Sequence, residues 1–347
     1  MTKKRTVFQA FLAASLICLL AVTFSISAAR ADIEDNLKYN FKAKLKDKIA
    51  EKVLDSDYAK KSCREKSEAL TWLTARKKRG GKDGPEPSIK DVSYGHHWRQ
   101  RYDVFLPQKK VMKKAPVIVM VHGGGWCIGD KAMGAAMQNK VDRWTAKGFV
   151  LVSVNYRMLP DNAAVTRQAE DVAKAIAHIQ ENARDWGGDK DRVIVMGHSA
   201  GAHLVSLIGA SPENWKKTGV APWLMTISLD SGTLNTPDTM RKNKLLLFDE
   251  AFGTSPSYWR ETSPYHQMSR KTLPWLGVCA ANRDEPCPQA LEYAEKAQKY
   301  GVKAAVLSVN MGHGAINKTL GQAGDYTENV EAYMAGIDPV VAQLLGR

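Results

Sequence analysis

From about residue 92 onward, short apolar runs alternate with stretches in which apolar residues recur at helical spacing. The apolar runs are closed by turn residues and predict buried strands at 102–106, 117–121, 149–154, 193–196, 224–229, 275–280 and 304–309. The helical spacing predicts helices at 164–186, 202–210 and 288–300. Strands that alternate with helices favour an α/β fold, in which helices cover both faces of a mostly parallel sheet.

A different pattern precedes this region. Between residues 33 and 53, apolar residues recur every four positions among lysines and acids, which predicts an amphipathic helix. A second helical stretch, at about 58–78, ends in a cluster of glycines and a proline at 80–85. We therefore expect an N-terminal helical extension over residues 32–84 and one α/β domain over residues 85–347.

The first 31 residues have the pattern of an export signal. A basic start, Lys3-Lys4-Arg5, is followed by apolar residues 7–26 and by the small-x-small site Ala29-Arg30-Ala31. We expect a signal peptide over residues 1–31, cleavage after Ala31 and a periplasmic or secreted protein. Because the apolar stretch is long for a signal, an uncleaved signal that anchors the protein in a membrane is the alternative.

The formal net charge of the 347-residue chain is +14, from 50 basic and 36 acidic residues. Many of the basic residues lie between acids in residues 38–82, which is typical of a solvated, lysine-rich surface. A nucleic-acid partner is disfavoured, because no basic run is interleaved with aromatic residues. Membrane contact is expected only through an uncleaved signal or through the basic N-terminal helices.

Four cysteines remain once the signal is removed, namely Cys63, Cys127, Cys279 and Cys287. An even number suits disulfides in an oxidising compartment, and Cys279 and Cys287 are the closest pair, so we expect a disulfide between them. A metal site is disfavoured, since the chain has no CxxC motif and no cysteine and histidine cluster at zinc-ligand spacing.

The most informative motif is Gly197-His198-Ser199-Ala200-Gly201. It follows one predicted strand and precedes one predicted helix, the context in which a buried strand turns sharply into a helix. Glycines on both sides allow so tight a turn, which lifts the Ser199 hydroxyl to the end of the sheet. A glycine-rich turn with an incidental serine is the alternative, but the neighbouring strand and helix favour a nucleophile elbow.

A nucleophilic serine needs a base, and the base needs a carboxylate that orients it. Of the eight histidines, His313 is the one that follows the last predicted strand in a glycine-rich loop, at the sheet edge where Ser199 is expected. Asp284 follows the preceding strand and gives the chain order Ser, Asp, His, so we expect it to be the acid. Asp230, after the strand before that, is the second choice and suits a turn.

The loop His122-Gly123-Gly124-Gly125 directly follows the predicted strand at 117–121. Glycines let peptide groups turn inward without a side chain blocking a substrate, and inward N–H groups stabilise an oxyanion. We expect the amides of Gly124, Gly125 and Ala200 to form an oxyanion hole. A phosphate-binding loop is disfavoured, because Asp130 stands where such a loop needs a lysine.

Together these motifs resemble the α/β-hydrolase superfamily, in particular its HGGG-type esterases related to hormone-sensitive lipase, bacterial acetyl esterases and arylformamidases. The resemblance runs from about residue 91 to the C-terminus and rests on residues 122–126, 154–157 and 197–201, with Asp284 and His313. It implies an α/β-hydrolase catalytic domain over residues 85–347. It also implies that a Ser199, His313 and Asp284 triad hydrolyses small carboxylic esters of short to medium acyl chain without a cofactor.

Two rival functions stay open at this point. An amidase of the arylformamidase type would keep the same triad and differ only in its pocket, whereas a non-catalytic binding protein of this fold would be expected to lack a triad residue. Residues 211–274 are expected to form part of a lid. Their aromatic residues suit an acyl pocket or core packing; these are Trp215, Trp223, Tyr258, Trp259 and Tyr265.

Overall fold

The computed structural model describes residues 62–65, 67, 84–108, 114–242 and 245–347. The chain divides into two compact units, Met1–Ala59 and Lys60–Arg347, and all described residues belong to the second. The expected signal peptide at 1–31 and most of the expected extension at 32–84 therefore lie outside the described residues. Within the described part of the chain, no helix has both the length and the apolar character needed to cross a membrane.

Eight strands form one sheet with the spatial order β1, β2, β4, β3, β5, β6, β7, β8. Strand β2 runs antiparallel to both of its neighbours, β1 and β4, and all other neighbouring strands are parallel. The strands are β1 Ile89–Ser93, β2 Arg101–Phe105, β3 Ala115–Val121, β4 Val150–Val154, β5 Gly188–His198, β6 Met225–Leu229, β7 Trp275–Ala280 and β8 Ala304–Val309. The prediction of an α/β fold with a mostly parallel sheet is confirmed.

Apart from the helical residues 63–65 and 67, which precede β1, the α-helices of the described residues lie between the strands and after β8. They are α1 Gly134–Ala146, α2 Val165–Asn182, α3 Ala200–Ala210, α4 Thr236–Lys242, α5 Leu246–Phe252, α6 Pro256–Glu261, α7 Pro264–Gln267, α8 Pro286–Lys299, α9 His313–Thr319, α10 Asp325–Ala335 and α11 Pro339–Leu345. Short 3-10 helices occur at Leu159–Asp161, Ala183–Trp186 and Pro212–Thr218.

Strand β3 shows why both faces of the sheet are covered. All seven of its residues are buried, and successive side chains point to opposite faces. Val117, Val119 and Val121 belong to the core that includes α2 and α3, whereas Ile118 and Met120 belong to the core that includes α1 and the C-terminal helices. Burial of one such side chain contributes about 1.5–3 kcal/mol, so the apolar runs of the sequence fix the central strands.

Edge strand β1 and the segment between β6 and β7 extend the predicted pattern. Strand β1 was not expected, because three of its five residues are exposed and it has no apolar run. Helices α4 to α7 occupy most of the segment between β6 and β7. Trp223 is buried in the core, and Trp215 and Trp259 pack against that core, so core packing accounts for these three aromatic residues.

Two disulfides are present among the described residues. The expected pair, Cys279 with Cys287, is confirmed, and Cys63 is bonded to Cys127. Cys127 lies in the loop after β3, and the Cys63 amide donates to the Glu250 carboxylate of α5 at 2.9 Å. The second disulfide therefore fastens the segment around Cys63 to the loop that carries the three consecutive glycines.

Candidate active site

The turn expected to be a nucleophile elbow lies between β5, which ends at His198, and α3, which begins at Ala200. Ser199 has φ 54° and ψ −119°, a strained conformation that costs about 1–3 kcal/mol. A Cβ atom at Gly197 would collide with the carbonyl oxygen of Gly201, so glycine is needed for this turn. The Ser199 amide donates to the Leu229 carbonyl at 2.9 Å, which ties the elbow to the end of β6.

Asp230 follows β6 directly and faces His313. Its Oδ2 atom lies 2.5 Å from His313 Nδ1, and its Oδ1 accepts the Ala280 amide at 2.8 Å. The Asp230 side chain is 0% exposed. Burial alone would raise the pKa of Asp230, but the hydrogen bond from His313, the charge of Arg283 and the Ala280 amide lower this pKa to about 2. Asp230 is therefore ionised, and His313 carries its proton on Nδ1.

Asp284, the acid expected from the sequence, is not the carboxylate beside His313. It is exposed in the loop between β7 and α8 and makes no hydrogen bond or ion pair with a described residue. Asp230 takes this place because φ 55° turns the chain sharply after β6. The Asp284 loop instead sends the guanidinium of Arg283 toward the pair, where Nη1 contacts Asp230 Oδ2 and lies 2.9 Å from His313 Nδ1.

His198, which precedes Ser199 in sequence, holds His313 in place. Its Nε2 donates to the His313 carbonyl at 3.0 Å, and the centroids of the two rings are 4.5 Å apart. Burial, together with the charge of His313, lowers the pKa of His198 well below its usual value. A neutral His198 therefore serves as a hydrogen-bond donor that fixes the start of α9 next to Ser199.

Helix α9, which begins at His313, is also anchored by a buried lysine. Lys140 of α1 donates to the backbone carbonyl of Asn317, to Asn317 Oδ1 at 2.9 Å and to the Ala136 carbonyl at 2.8 Å. Burial lowers the pKa of Lys140 to about 7. A lysine in an otherwise amphipathic helix gives no sequence signal for this contact.

The loop after β3 contains Gly124 and Gly125, whose amides are two of the three expected oxyanion donors. The amides of Cys127 and Ile128 donate to the Gly124 carbonyl at 3.2 and 3.1 Å, which closes a turn, and Gly124 and Gly125 have φ of 122° and 62°. Their own amides find no acceptor among the residues that the structure describes. Left-handed φ values favour glycine at both positions, so the glycines of the sequence suit this turn.

Gly123 brings this loop against the elbow. A Cβ atom at Gly123 would lie 2.9 Å from Ser199 Cβ and 2.7 Å from the His198 carbonyl oxygen. The loop is held from behind by Tyr156, whose hydroxyl donates to the His122 carbonyl at 2.9 Å and whose ring stacks on that of His122 with 4.5 Å between centroids. Glycine at position 123 thus permits the close approach that brings the loop to the serine.

The expected residues therefore meet at one edge of the sheet, with Asp230 in the place of Asp284. The elbow serine, His313 and the glycine loop follow β5, β8 and β3, and parallel strands end at the same edge. Ser199 Oγ makes no hydrogen bond with any residue that the structure describes, and such contacts often tighten only when a substrate binds. The arrangement offers the Ser199 hydroxyl, the His313 imidazole beside the ionised Asp230, and two glycine amides without an acceptor among the described residues.

Comparison with known proteins gives a consistent picture. The BD-FAE family model matches residues 102–231, from β2 to just beyond Asp230. Esterase LipC of Mycobacterium tuberculosis is 30% identical over 221 residues, which cover 59% of this chain and 54% of that protein. A probable isoprenylcysteine alpha-carbonyl methylesterase of Oryza sativa is 31% identical over 118 residues, or 34% of this chain and 27% of that protein. The chain thus spans about half of LipC and about a quarter of the second relative.

Solved structures agree on the fold. A truncated carbohydrate esterase from gut microbiota superposes with a TM-score of 0.60 at 18% identity, covering 77% of this chain and 99% of that one. Esterase B from Lactobacillus rhamnosis, inhibited by a C4-C4 tributyrin phosphonate, superposes with a TM-score of 0.63 at 18% identity, covering 83% and 97%. The chain therefore has the α/β-hydrolase fold of these solved structures, and part of its sequence is similar to esterases.

Proposed function

We propose that this protein hydrolyses carboxylic esters through an acyl-enzyme formed on Ser199. The observation that carries the proposal is the contact between His313 Nδ1 and the buried, ionised Asp230, at the sheet edge where the strained elbow presents Ser199. A serine hydroxyl, an oriented imidazole and a carboxylate are the groups that acyl transfer requires. The relatives named above are called esterases, which supports the same reaction.

In the proposed reaction, Ser199 Oγ attacks the ester carbonyl carbon while His313 Nε2 accepts the hydroxyl proton. Asp230 keeps the other His313 proton on Nδ1 and stabilises the imidazolium that forms. The bond to the alcohol then breaks, and His313 returns the proton to the leaving oxygen. A water molecule then gives a proton to His313 and attacks the acyl carbon. The bond from that carbon to Ser199 Oγ breaks, and His313 returns the proton to Oγ, which releases the carboxylic acid.

The amides of Gly124, Gly125 and Ala200 are proposed to hold the oxyanion of each tetrahedral intermediate. The two glycine amides are free of partners among the described residues, and Ala200 is the first residue of α3, where helix N–H groups are unpaired and the helix dipole favours negative charge. Loss of one such donor costs about 2.7–4 kcal/mol of transition-state stabilisation.

Short to medium acyl chains suit the apolar wall beside this loop. Leu247 of α5 lies so close that a Cβ atom at Gly125 would be 2.7 Å from its Cδ2. Next to it, the ring of Phe248 lies 5.9 Å from that of Trp126, centroid to centroid. Leu247 and Phe248 both lie on α5 and are half-buried, so they place apolar side chains next to the proposed oxyanion donors.

The test is a series of p-nitrophenyl esters from acetate to palmitate, assayed with the wild type and with Ser199→Ala. We expect the highest kcat/KM on the short and medium chains and an initial burst of one p-nitrophenol per enzyme, the sign of an acyl-enzyme. Ser199→Ala should lower kcat by roughly 10⁶. Turnover unchanged in Ser199→Ala would overturn the proposal, and faster cleavage of p-nitroacetanilide than of the acetate ester would assign an amidase.

Export is part of the proposal. It is supported by the signal-like start of the chain and by the two disulfides, which persist in oxidising compartments. N-terminal sequencing of the protein recovered from its natural host should begin at Asp32. Membrane-bound protein that still begins at Met1 would contradict cleavage.

A further inference from the structure

Arg283 is a cation beside the catalytic pair that the reaction itself does not require. Its Nη1 contacts Asp230 Oδ2 and lies 2.9 Å from His313 Nδ1. Because the proton on Nδ1 is donated to Asp230, this short distance is a close approach and not a hydrogen bond. The Arg283 side chain is 40% exposed, whereas that of Asp230 is fully buried. The guanidinium therefore extends from the pair to solvent.

Within the described part of the chain, only one nitrogen of the Arg283 guanidinium is paired. Nη1 has a partner, whereas Nε and Nη2 have no acceptor among the described residues. The next acid in sequence, Asp284, makes no ion pair with a described residue, and Glu285 lies 3.2 Å from Gln289 Nε2. An arginine with a free edge is suited to carboxylates, because two parallel N–H groups match two carboxylate oxygens.

Arg283 lies beside the histidine that handles the leaving group. Its Nη1 is 2.9 Å from His313 Nδ1, and Asp230 is the carboxylate that both residues contact. An anionic group of the substrate that binds the free edge of Arg283 would therefore be held near this histidine. Since His313 returns its proton to the leaving oxygen, such a group belongs to the alcohol portion of the ester.

We propose that Arg283 is a specificity-determining residue that binds a carboxylate on the alcohol portion of the ester. This inference rests on the proposed esterase function and adds a substrate class to it, esters of hydroxy acids. A bidentate guanidinium–carboxylate contact at a half-exposed position corresponds to a preference of up to about fivefold, since exposed ion pairs are worth about 1 kcal/mol or less and tenfold equals about 1.4 kcal/mol.

The experiment compares two substrates that differ only in charge, the acetyl esters of 4-hydroxybenzoate and of 4-hydroxybenzamide. The measured quantity is the ratio of their kcat/KM values. A general disturbance of Asp230 and His313 lowers both values and cancels in the ratio, so the ratio reports on recognition alone. Wild type should prefer the carboxylate by up to about fivefold, and 0.5 M NaCl should weaken that preference, because salt screens half-exposed charges.

In Arg283→Gln the ratio should fall to about one, and Arg283→Lys should keep part of the preference because it retains the charge but not the planar edge. The control is Lys299→Gln, which removes the same charge at the far end of α8, about 20 Å along the helix axis. Its ratio should equal that of wild type. A wild-type ratio of one or less, or a ratio unchanged in Arg283→Gln, overturns the inference. If Ser199→Ala hydrolyses both esters at the wild-type rate, the proposed function itself fails.

Discussion

The two disulfides should contribute unequally to stability, because they close loops of very different length. Their cysteines are 64 residues apart for Cys63 and Cys127 and 8 residues apart for Cys279 and Cys287. The entropy that a cross-link removes from the unfolded chain grows with the logarithm of loop length. It corresponds at 25 °C to about 4.3 kcal/mol for the longer loop and about 2.5 kcal/mol for the shorter one.

The perturbation is a pair of double variants, Cys63→Ala with Cys127→Ala and Cys279→Ala with Cys287→Ala. Three of the four side chains are buried, and alanine keeps each site apolar, so loop closure dominates the comparison. The assay is urea unfolding at pH 7 without reductant, followed by tryptophan fluorescence. The first variant should lose about 2 kcal/mol more unfolding free energy than the second. Equal losses, or a larger loss in the second variant, would show that loop length does not determine the two contributions.

Three further predictions concern single residues. Gly123→Ala should lower kcat at least a hundredfold, because the added methyl would lie 2.9 Å from Ser199 Cβ. The control is Gly336→Ala, which should keep wild-type activity and thermal stability because the added methyl has no neighbour nearer than 3.5 Å. Burial lowers the pKa of Lys140 to about 7 in the folded protein, whereas the unfolded chain holds this proton up to about pH 10. The unfolding free energy should therefore rise by about 2 kcal/mol from pH 7 to 9. Urea unfolding across this range should show no such rise in Lys140→Met. Asp230, with a pKa lowered to about 2, should contribute about 2 kcal/mol above pH 4 and lose it as the pH falls toward 2, and Asp230→Asn should unfold with a flatter pH dependence in acid.

The fold and most of the site could be predicted because their signals are local. Strand β3 is a continuous apolar run, and the elbow at Ser199 is marked by glycines within two residues on either side. His313 was expected in a loop, and the structure places it at the start of helix α9. Its position after the last strand was sufficient to select it, because the end of a parallel strand determines the edge on which a residue lies.

The acid could not be selected in the same way. Asp230 and Asp284 follow adjacent strands, β6 and β7, so both reach the same edge. The choice between them depends on the left-handed turn at Asp230 and on the carboxylate's bond to the Ala280 amide. Neither has a sequence signal. The bond between Cys63 and Cys127 joins residues 64 apart, and a count of cysteines does not determine the pairing.

The role of Asp230 as the acid is tested most directly by kcat on p-nitrophenyl acetate, measured for Asp230→Asn beside Asp284→Asn. Asparagine cannot accept the Nδ1 proton as a carboxylate does and favours the wrong tautomer of His313, so Asp230→Asn should lower kcat by about 10⁴. Asp284 is exposed and does not touch His313, so Asp284→Asn should stay within about threefold of wild type, consistent with a surface substitution. Circular dichroism should show both variants folded. Full activity in Asp230→Asn together with a large loss in Asp284→Asn would contradict the assignment of the acid.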